Sequence, residues 1–332
     1  MSARADQRDP SRWPHLLAAA AVLFAVPLVL FGGSVTTLGA GMAVEGWLIA
    51  EGHFLLFFPA ESWLRDTATF VEHTHRLFGV LVGLAAIGAC VAAWRLDRRA
   101  SAGWLATLAL LAVCAQGVLG GFRVLENDPQ LAFLHGFVAQ VVFALLAASA
   151  VFLSRTWIQA TATRRSHDAD GDAGGGVAGL RTLAVLTGAA VLAQVLLGAW
   201  YRHEIRPVVG PAAATRLAWH VVGAVVVLLL GVLLARALAR AARTAPEPGA
   251  ARLRRGARAI AVLLGLQIVL GMVAWLAYEP LAIGPLEWTV SILHVLGGAL
   301  LLAHCTVATM WSWRLFEAPF GTRPALGLEG AR

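Results

Sequence analysis

Lysine is absent from this sequence, charge is scarce and cysteine is rare. Only 14% of the 332 residues are charged and 59% are hydrophobic, whereas soluble globular chains run at roughly 25% charged and 45–50% apolar. A water-soluble domain of this length could not bury so much apolar surface. A cytosolic protein, a disordered chain and a nucleic-acid-binding module are therefore excluded. The three cysteines, Cys90, Cys114 and Cys305, each lie inside an apolar run, so they define no disulfide framework and read as core residues. All 26 basic residues are arginine, clustered between apolar runs instead of gathered into one patch. The pI of about 10.7 is then a signature of membrane topology.

A bilayer-spanning helix needs roughly 20 mostly apolar residues. Eight such runs are present, at about 15–38, 71–94, 103–125, 131–154, 180–201, 217–235, 259–278 and 288–313. They are continuous and rich in Ala and Leu, without the period-two alternation of a membrane barrel. The expected fold is all-α and integral to the membrane, with eight transmembrane helices in two tandem four-helix bundles related by a pseudo-twofold internal repeat. The first run is too long for a signal peptide and no small-residue cleavage site follows it, so it reads as a retained helix.

Arginine distribution sets the expected orientation. With both termini cytoplasmic, twenty arginines fall inside and six outside: Arg65, Arg76, Arg123, Arg202, Arg206 and Arg216. That bias follows the positive-inside rule. Residues 164–179 (RRSHDADGDAGGGVAG) read as a flexible cytoplasmic linker between an N-terminal half, 1–163, and a C-terminal half, 180–332. The long external loop, about 39 to 70, carries Trp47, Phe54, Phe57, Phe58 and Trp63. Such a loop is expected to be a lid or a membrane-surface element.

The chemistry sits in an internal repeat. Gln-x-x-Leu-Gly occurs at 116–120, 194–198 and 267–271, late in the third, fifth and seventh helices, while the first helix lacks the glutamine. Each even-numbered helix carries a histidine just inside its outer end: His75, His135, His220 and His294. At about 1.5 Å of rise per residue these lie on the order of 5–10 Å into the membrane. A single membrane histidine is often a buried polar residue bonded to a carbonyl; four at equivalent positions mark a site. Gly79, Ala139, Gly223, Ala224, Gly297 and Gly298 fall three or four residues beyond these histidines. They read either as ordinary small-residue helix contacts or as clearance for a flat macrocycle.

Zinc, copper and di-iron sites recruit thiolates or several carboxylates, which these helices do not offer. Histidines facing each other from two helices suit axial ligation of haem, one pair per half. Arg76, Arg123, Arg206 and Arg216 would lie where haem propionates emerge, since guanidinium binds carboxylate bidentately. Proton or ion transport is the competing use. Glu72-His73-Thr74-His75-Arg76 is the densest chemical cluster: Glu72 and His75 share a helix face, whereas the matching positions before His220 and His294 are Leu217 and Ser291. This asymmetry suggests one working haem and one supporting haem, although Glu72 alone could be an acidic residue favoured by the helix dipole.

The chain resembles the heme A synthase family. The resemblance rests on Gly32-Gly33-Ser34-Val35-Thr36-Thr37-Leu38-Gly39-Ala40-Gly41-Met42, on Glu72-x-x-His75-Arg76, on the repeated Gln-x-x-Leu-Gly and on the other three histidines, and it spans nearly the whole chain. It implies a membrane enzyme that oxidises the C8 methyl of heme O to a formyl group, giving heme A for terminal oxidases. It further implies that His75 and His135 belong to the substrate site, that His220 and His294 hold a b-type haem, and that Glu72 takes part in the oxidation. Many bacterial members carry a cysteine pair in the first external loop; residues 39–70 contain none, so no thiol step is expected. The loop sequence from Val44 to Trp47 also diverges.

On this reading heme O lies between the second and fourth helices with its C8 methyl near Glu72, and electrons arrive through heme b. Two successive oxidations would give a gem-diol that loses water. Partner expectations are heme O as substrate, a handover from heme O synthase, and a homo-oligomer, with no electron donor identifiable. The alternative is a quinol-linked diheme b-type electron carrier that modifies neither haem; a proton-coupled transporter would be colourless. His304 is expected to be a packed polar residue, His53 and His73 to be solvated near the outer surface, His15 and His167 to sit at the cytoplasmic edge or in the linker, and His203 to be structural, with a place on the rim of the second haem as the alternative.

Overall fold

Proline and short polar side chains set where the helices begin. The computed structural model describes residues 11–160, 173–204, 211–279 and 282–316. Helix α1 (Trp13–Thr37) has Pro14 in its first turn, and α5 (Pro129–Phe152) opens on Pro129 behind an Asp128 cap that accepts from the Gln130 and Leu131 N–H groups. Proline at these positions forfeits no helical hydrogen bond. Helix α3 (Thr67–Leu96) is capped by Asp66, which accepts from the Thr69 N–H, and α4 (Ala100–Glu126) ends at Asn127 in the left-handed conformation. The other long helices are α7 (Ala173–Glu204), α8 (Pro211–Ala241), α9 (Gly249–Leu276) and α10 (Pro285–Leu315). Two short helices, α2 (Ala60–Trp63) and α6 (Arg155–Gln159), complete the set.

The chain is an integral membrane protein of the all-α class: among the described residues eight helices are long and apolar enough to span a bilayer. They match the eight runs read from sequence but extend further at most ends, because arginine and acidic residues continue the helices past the apolar core. Residues 173–179, expected as flexible linker, form the start of α7; positions 161–172 lie outside the described residues, as does His167.

In the first half α1 packs on α3 and α5, and α4 bridges α3 and α5. In the second, α7 packs on α8 and α10, and α9 bridges α8 and α10. The halves meet where α1 and α5 touch α10 and where α5 touches α7. Small side chains let these backbones approach: Ala21, Ala93, Ala102, Ala184 and Ala299 are fully buried. The outward faces are apolar, with Leu23, Leu84, Leu111, Leu229 and Val262 exposed, as lipid contact requires. Of the cysteines only Cys305 is core; Cys114 is exposed and Cys90 intermediate. An unbroken run of apolar residues does not reveal which face of a helix meets lipid.

Packing is uneven along the helices. On α8 every buried residue falls between Val227 and Leu238, and on α9 every one falls between Gly249 and Leu264. At the end of the second half that carries the histidines α8 and α9 bury no residue, whereas α10 buries Glu287, Val290 and Gly297 there.

The loop between α1 and α3 folds over the first half. A two-residue antiparallel ladder pairs Ile49 with Phe54 and Ala50 with His53, followed by a 3-10 turn over 55–57. Val44, Ala50 and Phe58 form a small core beneath it.

Candidate functional site

Four glycines receive the four histidine rings. A Cβ placed on Gly32 would stand 2.7 Å from Cε1 of His75; the corresponding distances are 2.8 Å for Gly120 and His135, 3.0 Å for Gly198 and His220, and 3.2 Å for Gly271 and His294. Three of these glycines close the Gln-x-x-Leu-Gly repeats. Gly32 is the fourth, in a helix where Leu28 stands in place of the glutamine.

One turn before three of these glycines, and on the same helix face, a glutamine holds the same histidine. Gln116 Nε2 donates to the His135 carbonyl at 2.8 Å and lies 3.1 Å from its Nδ1; Gln194 Nε2 donates to the His220 carbonyl at 2.9 Å and lies 3.0 Å from its Nδ1. Gln267 Nε2 donates only to the His294 carbonyl, at 3.0 Å, and the His294 Nδ1 is buried without a partner. On α1 the backbone replaces the side chain: the Leu28 carbonyl accepts from His75 Nδ1 at 2.9 Å. Its access depends on Gly32, because a side chain at i+4 would lie over the carbonyl at i.

This geometry assigns two of the small residues that follow the histidines. A Cβ on Gly223 would collide with the Gln194 side chain, and one on Gly297 with Gln267. Those two glycines make room for a glutamine side chain, which is the helix-contact reading of the two that the sequence offers. The sequence signal was the shared spacing of glutamine, histidine and glycine; it gave no hint of which touched which.

The rings meet in two pairs. His75 and His135 have centroids 6.3 Å apart at 80°, and His220 and His294 have centroids 6.2 Å apart at 71°. All four are half-buried. An iron held between two imidazole nitrogens separates the ring centres by about 6 Å, from roughly 2 Å per metal–nitrogen bond and about 1 Å from nitrogen to ring centre. With Nδ1 of His75 and His135 turned to a backbone or amide partner, Nε2 is the nitrogen those rings have left for a metal, while Gln194 Nε2 lies 3.0 Å from Nδ1 and 3.4 Å from Nε2 of His220. Among the described residues no group of three His, Cys, Asp or Glu side chains could hold a metal ion. The donor set therefore fits bis-imidazole haem.

Beside the first pair the loop is strapped down by arginines. Arg76 donates to the carbonyls of Val44 (2.9 Å), Gly46 (2.8 Å) and Trp47 (3.3 Å), and to Glu72 Oε1 at 2.6 Å. The other Glu72 oxygen accepts the Val44 N–H at 3.0 Å. Arg123 donates to the Gly41 carbonyl, Arg65 to that of Ala43, and the Trp47 ring lies against Gly121. Arg76 and Arg123, expected at haem propionates, are thus engaged with loop backbone. The Arg216 guanidinium sits 5.2 Å from the Trp200 ring. Arg206 lies outside the described residues.

Several other positions differ from expectation. His73 is 2% exposed, not solvated; its ring is sandwiched by Phe58 at 4.6 Å and Trp63 at 5.4 Å, both from the loop. His203 does not line the second pair. It packs on Phe133 and Gly136 of α5, next to His135, because α7 crosses α5 at this level. Arg202 reaches α1, donating to the Gly33 carbonyl and to Thr37 Oγ1, both at 2.6 Å. His304 bonds the Leu300 carbonyl of its own helix, and His15 that of Ala150, as packed polar residues do. His53 is exposed.

The model of a family described as cytochrome oxidase assembly protein matches residues 11–213. No curated protein matches the chain.

Proposed function

Since the chain belongs to the cytochrome oxidase assembly protein (heme A synthase) family, we propose that it oxidises the C8 methyl of heme O to a formyl group, producing heme A. The observation that carries this reading is the presence of two imidazole pairs of equal spacing, the first of which has the buried Glu72 one helical turn before His75. The carboxylate buried on the helix of His294, Glu287, is two turns away, so the two pairs have unequal surroundings and, on this reading, unequal duties.

In this reading the halves are tandem bundles, His75 and His135 bind the substrate and His220 and His294 hold heme b, which when bound supplies one-electron transfer. Gly32 and Gly120 set the ring positions at the substrate site. The loop over 41–47 excludes water from it. Glu72 stabilises positive charge, or exchanges a proton, as the methyl is oxidised. Arg76 and Arg123 hold the lid, and Arg216, whose guanidinium lies over Trp200, is the proposed propionate partner at the second site. The expected orientation stands as proposed: cell membrane, both termini cytoplasmic, both histidine pairs toward the outer side, with heme O arriving from its synthase.

Haem extraction and chromatography after expression with and without a heme O source tests the proposal. Heme A should accumulate only with the source. Protohaem alone under both conditions would instead favour the diheme b-type electron carrier, which the near-identity of the two pairs also fits. A colourless protein would sink both.

A further inference from the structure

We infer that the hairpin of α8 and α9 holds an anionic phospholipid in a recess at the end of the bundle away from the histidines, with the lipid phosphate on Arg243 and Arg258. The site is independent of the haem reading, since about 30 Å of helical rise separates it from His220. The recess measures about 320 Å³ and is lined by Ala239, Ala242, Arg243, Arg254, Ala257 and Arg258, within the roughly 300–1,000 Å³ of small-ligand sites. Alanine makes its floor where α8 packs on α9, with Ala242 and Ala257 buried. Arginine makes its rim, and Arg243, Arg254 and Arg258 are all exposed.

Two of the three rim charges are uncompensated. Glu247 is the single acidic residue between Arg236 and Arg258, and it is engaged by Arg254 at 2.5 Å. Among the described residues the Arg243 and Arg258 side chains make no hydrogen bond or ion pair. A positive-inside bias accounts for arginines at this end of the helices, but not for two unpaired guanidiniums across a recess floored by alanine. Guanidinium binds phosphate oxygens in pairs, and basic recesses between membrane helices take lipid headgroups. With Glu247 occupied, no carboxylate waits for the ammonium of a zwitterionic headgroup, so a net anionic one fits.

The recess also continues in the direction an acyl chain would take. On α9 the face that carries Arg254 and Arg258 runs on toward the membrane centre as Ala261 and Gly265, both exposed, and a Cβ on Gly265 would meet nothing. On α8 the face of Ala239 runs on as Val232 and Val225, the latter exposed. Charge at the water boundary and an open apolar strip below it suit a lipid better than a free anion.

The test counts bound lipid by native mass spectrometry on purified full-length protein, after exchange into micelles holding phosphatidylglycerol and phosphatidylcholine in equal amounts. Wild-type protein is expected to retain phosphatidylglycerol in preference. Arg243→Gln with Arg258→Gln is expected to reduce that retention about 25-fold, since each arginine at the surface gives roughly a fivefold preference for an anionic lipid. Arg240→Gln with Arg255→Gln removes equal charge from α8 and α9 outside the recess and is expected to retain lipid as wild type does. Ala239→Phe fills the recess with every arginine in place and is expected to lose the lipid. If the Arg243 and Arg258 double variant fails to fold, Ala239→Phe decides: loss of phosphatidylglycerol supports the inference and wild-type retention overturns it. Equal losses from the two arginine pairs would show a diffuse charge effect and overturn it, as would equal retention of both lipids by wild type. Displacement of phosphatidylglycerol by excess inorganic phosphate would make the ligand a free anion and overturn the lipid assignment.

Discussion

Glu72 and Arg76, one helical turn apart on α3, form an ion pair of 2.6 Å in which the side chains are only 3% and 8% exposed. A buried pair of this kind punishes removal of one partner more than removal of both, because a lone buried charge has no compensation. Each group also serves the loop, Glu72 through the Val44 N–H and Arg76 through three carbonyls.

Arg76→Met is therefore expected to destabilise the protein by about 3 kcal/mol or more and to open the 41–47 segment to protease. The double substitution Arg76→Met with Glu72→Met should be less harmful than Arg76→Met alone. Thermal unfolding in detergent, with proteolysis of the loop as the local probe, measures both. A double variant as unstable as the sum of the singles would show that the two residues act independently.

Glu72→Gln keeps the shape of the side chain and loses its charge. Heme A formation is expected to fall at least about tenfold, equivalent to roughly 1.4 kcal/mol of barrier, while the b-type spectrum of the second pair stays as in wild type. Full-rate conversion would remove Glu72 from the reaction.

The four glycines predict a graded series. Replacing a mid-helix glycine by alanine ordinarily favours the helix by up to about 1 kcal/mol. Here each added Cβ meets an imidazole, at 2.7 Å from Gly32, 2.8 Å from Gly120, 3.0 Å from Gly198 and 3.2 Å from Gly271. Haem retention at the affected pair should fall most for Gly32→Ala and least for Gly271→Ala. Quantitative extraction of haem from each variant checks the order, and a flat series would mean that the rings simply step aside.

Acid should loosen the start of α3. Asp66 accepts the Thr69 N–H, which holds its carboxyl below the ordinary 3.8 despite an opposing desolvation effect. A folded value lower than the unfolded one gives stabilisation that is complete above the unfolded value and disappears as the pH falls through the folded one. Proteolysis within 60–70 is expected to accelerate below about pH 4 in wild type, and to be faster but less pH-dependent in Asp66→Ala. An unchanged pH profile in Asp66→Ala would remove the cap from the explanation.

The eight helices were legible because hydrocarbon demands long apolar runs, and the four histidines because polar residues stand out in them. The Gln-x-x-Leu-Gly repeat was visible too, yet its contacts were not. Whether Gly223 accommodates a ligand or the Gln194 side chain depends on how far apart α7 and α8 lie, and sequence spacing along one helix carries no such information. The loop was less legible still. Its straps end on backbone carbonyls of Gly41, Ala43, Val44, Gly46 and Trp47, and every residue has a carbonyl. His73 was misread for a related reason: what buries it, Phe58 and Trp63, comes from the part of the chain with the least periodic pattern.

Three consecutive residues near the end of α1 face different neighbours. Gly32 admits His75, the Gly33 carbonyl receives Arg202 from α7, and Ser34 Oγ accepts the Trp288 indole N–H from α10 at 3.0 Å. One short stretch of backbone is thus a party wall between two rooms. Whatever displaces it to admit or release a bulky occupant on one side must tug on the arginine and tryptophan of the other, so traffic through the first room would be felt in the second without any messenger crossing between them.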